Sequence, residues 1–385
     1  MKRVNIILFI ILLMMEGCSE GRQSGKDSDI FITVDITMVN YPKKELILQD
    51  FMDVEYIGLE TSDEFLCQGR VLDIGSDILL VSNYFDDGDI FVFDRNGKGI
   101  RKINRLGQGG EEYTSIYGTA LDEDNNEMFV NDVSGKKILV YDLYGKFKRS
   151  FRHDEGIRYV GIYNFDNRNL ICEVDYDNKA LEKLFIIVSK LNGSVVNKMP
   201  ISYKQKKSTR IGNNNGRFIM YLYSNILPFH DSWIFAEASS DTVFRFFPDF
   251  SMIPFIARTP SIQSMDPEIF LFPKILTDRY YFMDKVKKEN NFTKTDLIYD
   301  RQAKSIYEYT LYNDDYSNKQ RVDMITCETK NGEIAFWQEI EAHDLVGSYK
   351  KGELKGKLKE IAAGLEEESN PVIMLVKNKA IKLNK

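Results

Sequence analysis

The sequence predicts an all-β fold, a six-bladed β-propeller of four-stranded antiparallel blades with a short amphipathic helix inserted in the last blade. Three observations carry the prediction. First, the stretch 105–151 divides into four short runs, at 118–122, 127–131, 137–142 and 147–151. Each has strand length, is rich in Val, Ile, Tyr and Phe, and is bounded by Asp, Asn or Gly. Four antiparallel strands in about 48 residues is the size of one propeller blade. Second, the turn between the third and fourth runs recurs as DRNG, DLYG and KLNG, with glycines at 97, 145 and 193, so both steps are 48 residues. Gly supplies the positive φ that such a turn needs. Third, the stretch 54–385, less an insertion at about 341–370, spans a little over six such periods.

The remaining units follow in order. A fourth fits 233–238 and 242–247 with a turn at 248–250 that lacks the glycine. A fifth fits 280–284, 295–300 and 305–311, and a sixth fits 324–329, 333–338 and 372–376. The last unit is one strand short, while the run VEYIGLE at 54–60 precedes the first full blade. The two are expected to pair, because a strand from one terminus that completes the blade begun at the other leaves no open edge. Within the insertion, Leu354, Leu358, Ile361 and Leu365 recur at helical spacing over about 352–368. That predicts an amphipathic helix packed on the propeller and stopped before Asn370-Pro371.

The run RLGQGGEEY, then ALDEDNNEMFVND, then KKILVYDLYGK resembles the repeat of the bacterial six-bladed β-propeller lipoproteins, relatives of NHL-repeat propellers. That family's pattern after the first blade is close to G-x-G-P-G-E-Y. Gly107, Gly109, Glu112 and Tyr113 are in place here, while Gly110 and Glu111 stand where Pro and Gly are expected. The run NPVIML at 370–375 is similar to the family's last strand. The resemblance covers about 50–385. It implies the fold and says little about function, because propellers host many unrelated activities.

Residues 1–17 read as a lipoprotein signal peptide. Lys2 and Arg3 precede an apolar run at 4–15 that is too short to span a bilayer. Gly17 before Cys18 fits a lipobox and Glu16 departs from it, so ordinary signal cleavage nearby is the alternative. Lipidation of Cys18 would anchor the chain to a bacterial envelope membrane, on its periplasmic side or at the cell surface. Residues 18–50 read as a polar tether followed by a strand at 31–37 of unassigned position, and 51–385 as the propeller. Removing 1–17 takes away Lys2, Arg3 and Glu16 and moves the formal charge from −7 to −8. This mild acidity argues against nucleic acid as a partner. Cys67, Cys172 and Cys327 are far apart and odd in number, and are expected as buried free thiols rather than a disulfide framework.

No motif demands catalysis. The DEDNNE run at 122–127 lacks the Gly and the terminal Glu of a calcium loop and reads as a hairpin turn. FDDGD at 85–89 reads as a turn as well. GQGG at 107–110 joins two blades with no helix after it to receive a phosphate. His153, His230 and His343 fall in loops on opposite faces, so no three-His metal site is expected, nor any cofactor.

One pattern does point to a ligand. Connections between blades share a face with the loops between second and third strands, and here they are basic: Arg105, then Arg152 and Arg158, then Arg210, Arg258 and Arg321. The third connection, at 201–220, also holds Lys204, Lys206, Lys207 and Arg217 and no acid. Cations converging on an acidic protein would focus field on an anion, and Arg suits bidentate carboxylate or sulfate contacts. Tyr113, Tyr159 and Tyr221 are expected to add stacking surfaces, with Glu112 and His153 beside them. The expected function is a non-catalytic envelope binding module for an anionic saccharide or a protein partner. The alternative is a lyase or hydrolase of anionic polysaccharides or lactones, drawing on Glu112, Tyr113 and His153.

Overall fold

The strand Asp89–Asp94 shows how the blades are built: Ile90 and Val92 enter one buried cluster, Phe91 and Phe93 another. A blade is covered on both faces by its neighbours, so its inner strands are continuously apolar instead of alternating. The computed structural model describes residues 31–84, 87–175, 182–212, 218–324 and 333–379. The signal segment with Cys18, the polar tether, Arg217 and Cys327 lie outside the described residues.

Blade one comprises Arg70–Ile74, Ile78–Ser82, Asp89–Asp94 and Gly99–Asn104, paired in that order. Blade two runs from Gly118–Asp122 to Phe147–Arg152, and blade three from Arg158–Asn164 to Val195–Ser202. Blade four runs from Ile226–Phe229 to Met252–Thr259, and blade five from Ile269–Leu276 to Ser305–Asn313. Every neighbouring pair within these blades is antiparallel. The hydrophobic core is divided into interblade clusters found at every junction of the ring: one–two, two–three, three–four, four–five, five–six and six–one, with a smaller second cluster at four–five around Phe270 and Phe272. Six junctions with no gap mean six blades in a closed ring.

Closure is made as the sequence predicts. Met52–Gly58 pairs antiparallel with Val372–Asn378, with Val54 opposite Val376 and Ile57 opposite Ile373. It forms the outermost strand of blade six, beside Ile334–Ile340 and Val372–Asn378. The innermost strand expected at 324–329 falls, apart from Met324, outside the described residues.

The segment 18–50, expected as a tether and an N-terminal strand, belongs in part to the propeller, and the strand expected at 31–37 is found there. Ile32–Asp35 pairs parallel with Met252–Thr259 on the outer edge of blade four. Lys43–Ile47 pairs parallel with Ser305–Asn313 on the outer edge of blade five. The chain therefore straps blades four and five before it completes blade six. Ile32, Val34, Ile36 and Tyr41 enter the four–five cluster, and Leu46 and Leu48 the five–six cluster. These apolar residues were too few and too interrupted to assign a neighbour from sequence.

The insertion holds two helices, Ala342–Lys350 and Gly356–Ala362, rather than the single helix expected at 352–368. Gly352 and Gly356 have φ of 72° and 52°, and the chain turns between them. Leu345, Leu354, Leu358 and Ala362 are buried in the five–six cluster, with Ile361 and Leu365 packed against it. The helices thus seal the outer end of the last interface.

Candidate functional site

Second and fourth strands of each blade run the same way, so the loops that follow them open on one face, here called the funnel face. Three clefts lie there, and their charges differ. One sits between blades three and four beneath the connection 203–225, with a volume of about 490 Å³. Lys183, Lys206, Lys207 and Arg210 line it against Asp175 and Glu237. A second, of about 680 Å³, lies between the inner ends of blades six, one and two. Its charged residues are Arg70 against Asp87, Asp89 and Glu339. A third, of about 450 Å³, lies beside the first insertion helix and includes Arg321, His343 and Lys351.

The basic cleft is held by specific contacts. Lys183 Nζ lies 2.5 Å from Glu173 Oε1, and Asn225 Nδ2 donates to the same oxygen at 2.7 Å. Burial pulls the Lys183 pKa down, but the carboxylates of Glu173, Glu237 and Asp175 outweigh it, and the net shift is upward. The ammonium therefore persists in the cleft wall. The roof is fastened by two tyrosines. Tyr221 donates its hydroxyl to Asp284 of blade five and stacks on Phe272 with centroids 5.6 Å apart. Tyr223 stacks on the same ring at 4.1 Å, and its hydroxyl accepts from Ala238 N at 3.2 Å. Within the roof, Arg210–Gly212 pairs with Phe218–Met220, and the Arg210 guanidinium lies 4.9 Å above the Phe218 ring. Lys207 is tied to Glu268 at 3.5 Å, whereas Lys206 and Arg210 project from exposed positions.

The arginines expected to converge divide into groups. Arg210 lines the basic cleft, and Arg158 stands at its margin, 2.9 Å from Asp175. Arg321 lies in the third cleft and pairs with Asp296 at 2.8 Å. Arg105 turns outward, its Nε donating to the Gly145 carbonyl in the outer hairpin of blade two at 3.0 Å. Arg152 lies on the flank of blade two beside Gln108 and Gly110. Arg258 is buried between blades four and five, 3.8 Å from Asp241 and 2.9 Å from the Met265 sulfur. Connection order alone could not separate these fates, since the strong twist of a blade swings its outermost strand away from the axis.

The expected stacking surfaces are structural. Tyr113 is fully buried; its hydroxyl donates to Gly88 O at 2.7 Å and accepts from Arg105 N at 2.9 Å. Glu112 closes the same loop by accepting from Gly109 N at 2.8 Å. The GQGGEEY run is thus a self-bonded joint between blades. Tyr159 repeats the device in the next connection, accepting from Asp154 N at 3.1 Å. His153 stacks on Tyr159 at 4.3 Å, its Nε2 is 3.0 Å from Asn131 Oδ1, and its Nδ1 accepts from Tyr159 N at 3.3 Å. Burial pushes its pKa down to about 4. Exposed aromatic rings of the funnel face include instead Tyr84 and Tyr117, 61% and 54% exposed, at the rim of the acidic cleft, and Phe218 on the roof of the basic one. Neither tyrosine was singled out from sequence, since an exposed tyrosine in a loop carries no signature there.

The DEDNNE run forms the inner hairpin of blade two, where Asp122 binds Lys190 at 2.5 Å and Glu127 takes both Arg149 Nη atoms at 2.6 and 2.7 Å. Cys67 and Cys172 are buried free thiols.

One protein-family model, described as a domain of unknown function (DUF4934), matches residues 31–377. Among solved structures, a protein described as exported, from Bacteroides fragilis NCTC 9343, aligns with a TM-score of 0.56 at 16% identity. The alignment covers 88% of this chain and all of that one. A DUF4221 family member from Bacteroides vulgatus ATCC 8482 aligns with a TM-score of 0.45 at 9% identity, covering 86% of this chain and 97% of that one. The first of these likenesses shows the fold. No curated protein matches the sequence.

Proposed function

This chain belongs to the DUF4934 family, and from that footing we propose that it is an exported, lipid-anchored binding module of the bacterial envelope whose basic cleft takes an anionic saccharide. The observation that carries the reading is the basic cleft between blades three and four. Its roof is fastened to blade five through Tyr221, so the cations on it are pre-placed rather than loose. An acidic protein that gathers Lys183, Lys206, Lys207 and Arg210 in one concavity presents a local positive field to anions. Arg158 and the exposed Arg210 supply planar donors suited to carboxylate or sulfate groups. The positively charged start, the apolar run and Cys18 support export and anchoring, and a relative of like fold is described as exported.

A catalytic reading of the funnel loses support. Glu112, Tyr113 and His153, the groups it would draw on, are committed to the joints between blades.

The test is titration of the chain from residue 27 onward with an oligogalacturonate and with a sulfated hexasaccharide, at low and at moderate salt. Binding that weakens as salt rises, and falls about tenfold in Lys206→Ala/Arg210→Ala, is the expected result. Affinity unchanged in that double variant removes the basic cleft as the site.

A further inference from the structure

We infer that the acidic cleft between blades six, one and two is a second binding site, and that it takes an uncharged, hydroxyl-rich ring ligand, a neutral oligosaccharide. The inference does not rest on the basic cleft, which lies at a different blade junction.

The first support is shape. A concavity of about 680 Å³ on the axis-side face of a propeller is within the range of small-ligand sites. The second is its apolar surface. Tyr84 and Tyr117 stand at the rim more than half exposed, and Trp337 lies in the wall below them, 7% exposed. Solvent-exposed planar rings give flat apolar faces with a polar tip, which suit the C–H faces of a pyranose. Three aromatic rings from blades one, two and six are brought to one cleft only by ring closure.

The third support is the polar pattern. Arg70 supplies donors, and Asn83 supplies a donor and an acceptor already aligned by Asp87 at 2.6 Å and Gln68 N at 2.8 Å. Glu339 is oriented by Val71 N, which donates to its Oε1 at 3.2 Å. Its pKa is raised by burial and by the neighbouring Glu341, against the pull of Arg70. Interleaved donors and acceptors match hydroxyl groups, which do both.

The fourth support is charge. One guanidinium faces three carboxylates, so the lining repels a polyanion. Asp89 is engaged by Lys102 at 2.7 Å and Arg70 lies opposite Glu339, which leaves a single net negative charge, on Asp87: enough to disfavour a polyanion and too little to hold a polycation. An uncharged polyol is the remaining fit.

The experiment uses tryptophan emission. The chain has two tryptophans. Trp337 lines the cleft, and Trp233 is in the three–four core. The chain from residue 27 onward is titrated with cello-, xylo-, malto- and mannohexaose, and with galacturonate and glucosamine oligomers as charged controls. At least one neutral hexaose is expected to shift the emission, with little salt dependence. The affinity is expected to fall about tenfold in Tyr84→Ala and in Glu339→Gln and to be unchanged in Lys206→Ala/Arg210→Ala. Tyr84 is exposed enough for its variant to keep the fold, which an unchanged melting temperature checks. No shift with any neutral hexaose overturns the proposal, as does binding indifferent to both cleft variants. Binding by the charged oligomers alone overturns the assigned ligand class.

Discussion

Gly97 ends the outer hairpin of blade one with φ of 83°, and a Cβ there would sit on the carbonyl oxygen of Gly58, where the closing strand ends. Gly97→Ala therefore combines a left-handed backbone with a clash at the point of ring closure. It is expected to cost about 3 kcal/mol or more, read from urea unfolding. The same turn in blade four carries Phe250 at φ of 66°, which explains why the glycine period fades after 193. There the ring stacks toward Phe165 and Phe246, at 6.1 and 6.3 Å, and offsets the strain. His153 gives a second residue-scale prediction. Its folded pKa of about 4 lies below the ordinary value of 6.5. Below pH 6.5 the unfolded chain binds a proton that the folded chain refuses, so stability falls as pH drops toward 4 and is fully present at neutral pH. The loss from this group should reach about 2 kcal/mol by pH 5. Unfolding midpoints at pH 7 and pH 5 should lie closer together in His153→Gln than in the wild type; equal separation would assign the pH effect to other groups.

At the scale of the element, the three N-terminal strands do different work. Ile32–Asp35 and Lys43–Ile47 cover edges that already have four strands, whereas Met52–Gly58 supplies a strand blade six otherwise lacks. Removing residues 1–50 should lower the melting temperature and leave a monomer. Removing 1–59 should open the ring, expose the edge of Val372–Asn378 and give aggregate on size exclusion. A monomer in the second case would mean that the blade closes without its terminal strand. The same contrast appears at single positions: Ile57→Ala, in the six–one core, should cost about 2–4 kcal/mol, and Val196→Ala, 49% exposed on the edge of blade three, under about 0.5 kcal/mol. Among the described residues the outer strands of blades one to three have no further strand beside them, and Lys102, Lys148 and Lys198 on them oppose edge-to-edge pairing.

At the scale of the whole molecule, the funnel face is divided by sign. Lysine and arginine gather over blades three and four, and carboxylates with aromatic rings over six, one and two. If both proposed sites hold, they should therefore answer differently to ionic strength. An acidic oligosaccharide should weaken with added salt, while a neutral one should hold its affinity. One titration series in which both ligands respond alike would argue for a single shared site.

The blade period, the all-β class, the count of six and the pairing of the run at 54–60 with the last blade were legible in the chain itself. Strand length, turn glycines and apolar runs are local properties, and a repeat multiplies them until chance is excluded. The blade-two hairpin at DEDNNE was legible for the same reason. What only the tertiary structure decided was where a side chain goes once its strand is twisted and its blade packed. Arg105 and Arg210 have the same chemistry and both follow an outermost strand, yet one bonds the outer wall and the other lines a cleft. Tyr113 and Tyr117 stand four residues apart, yet one is buried as a joint and the other stands open at a rim. Burial is set by neighbours far away in the chain, and so is the strap at 32–47, whose parallel partners in blades four and five lie 224 and 265 residues further on and carry no turn signal. Sequence periodicity fixes the repeating unit; the closing of the ring chooses which of its side chains meet.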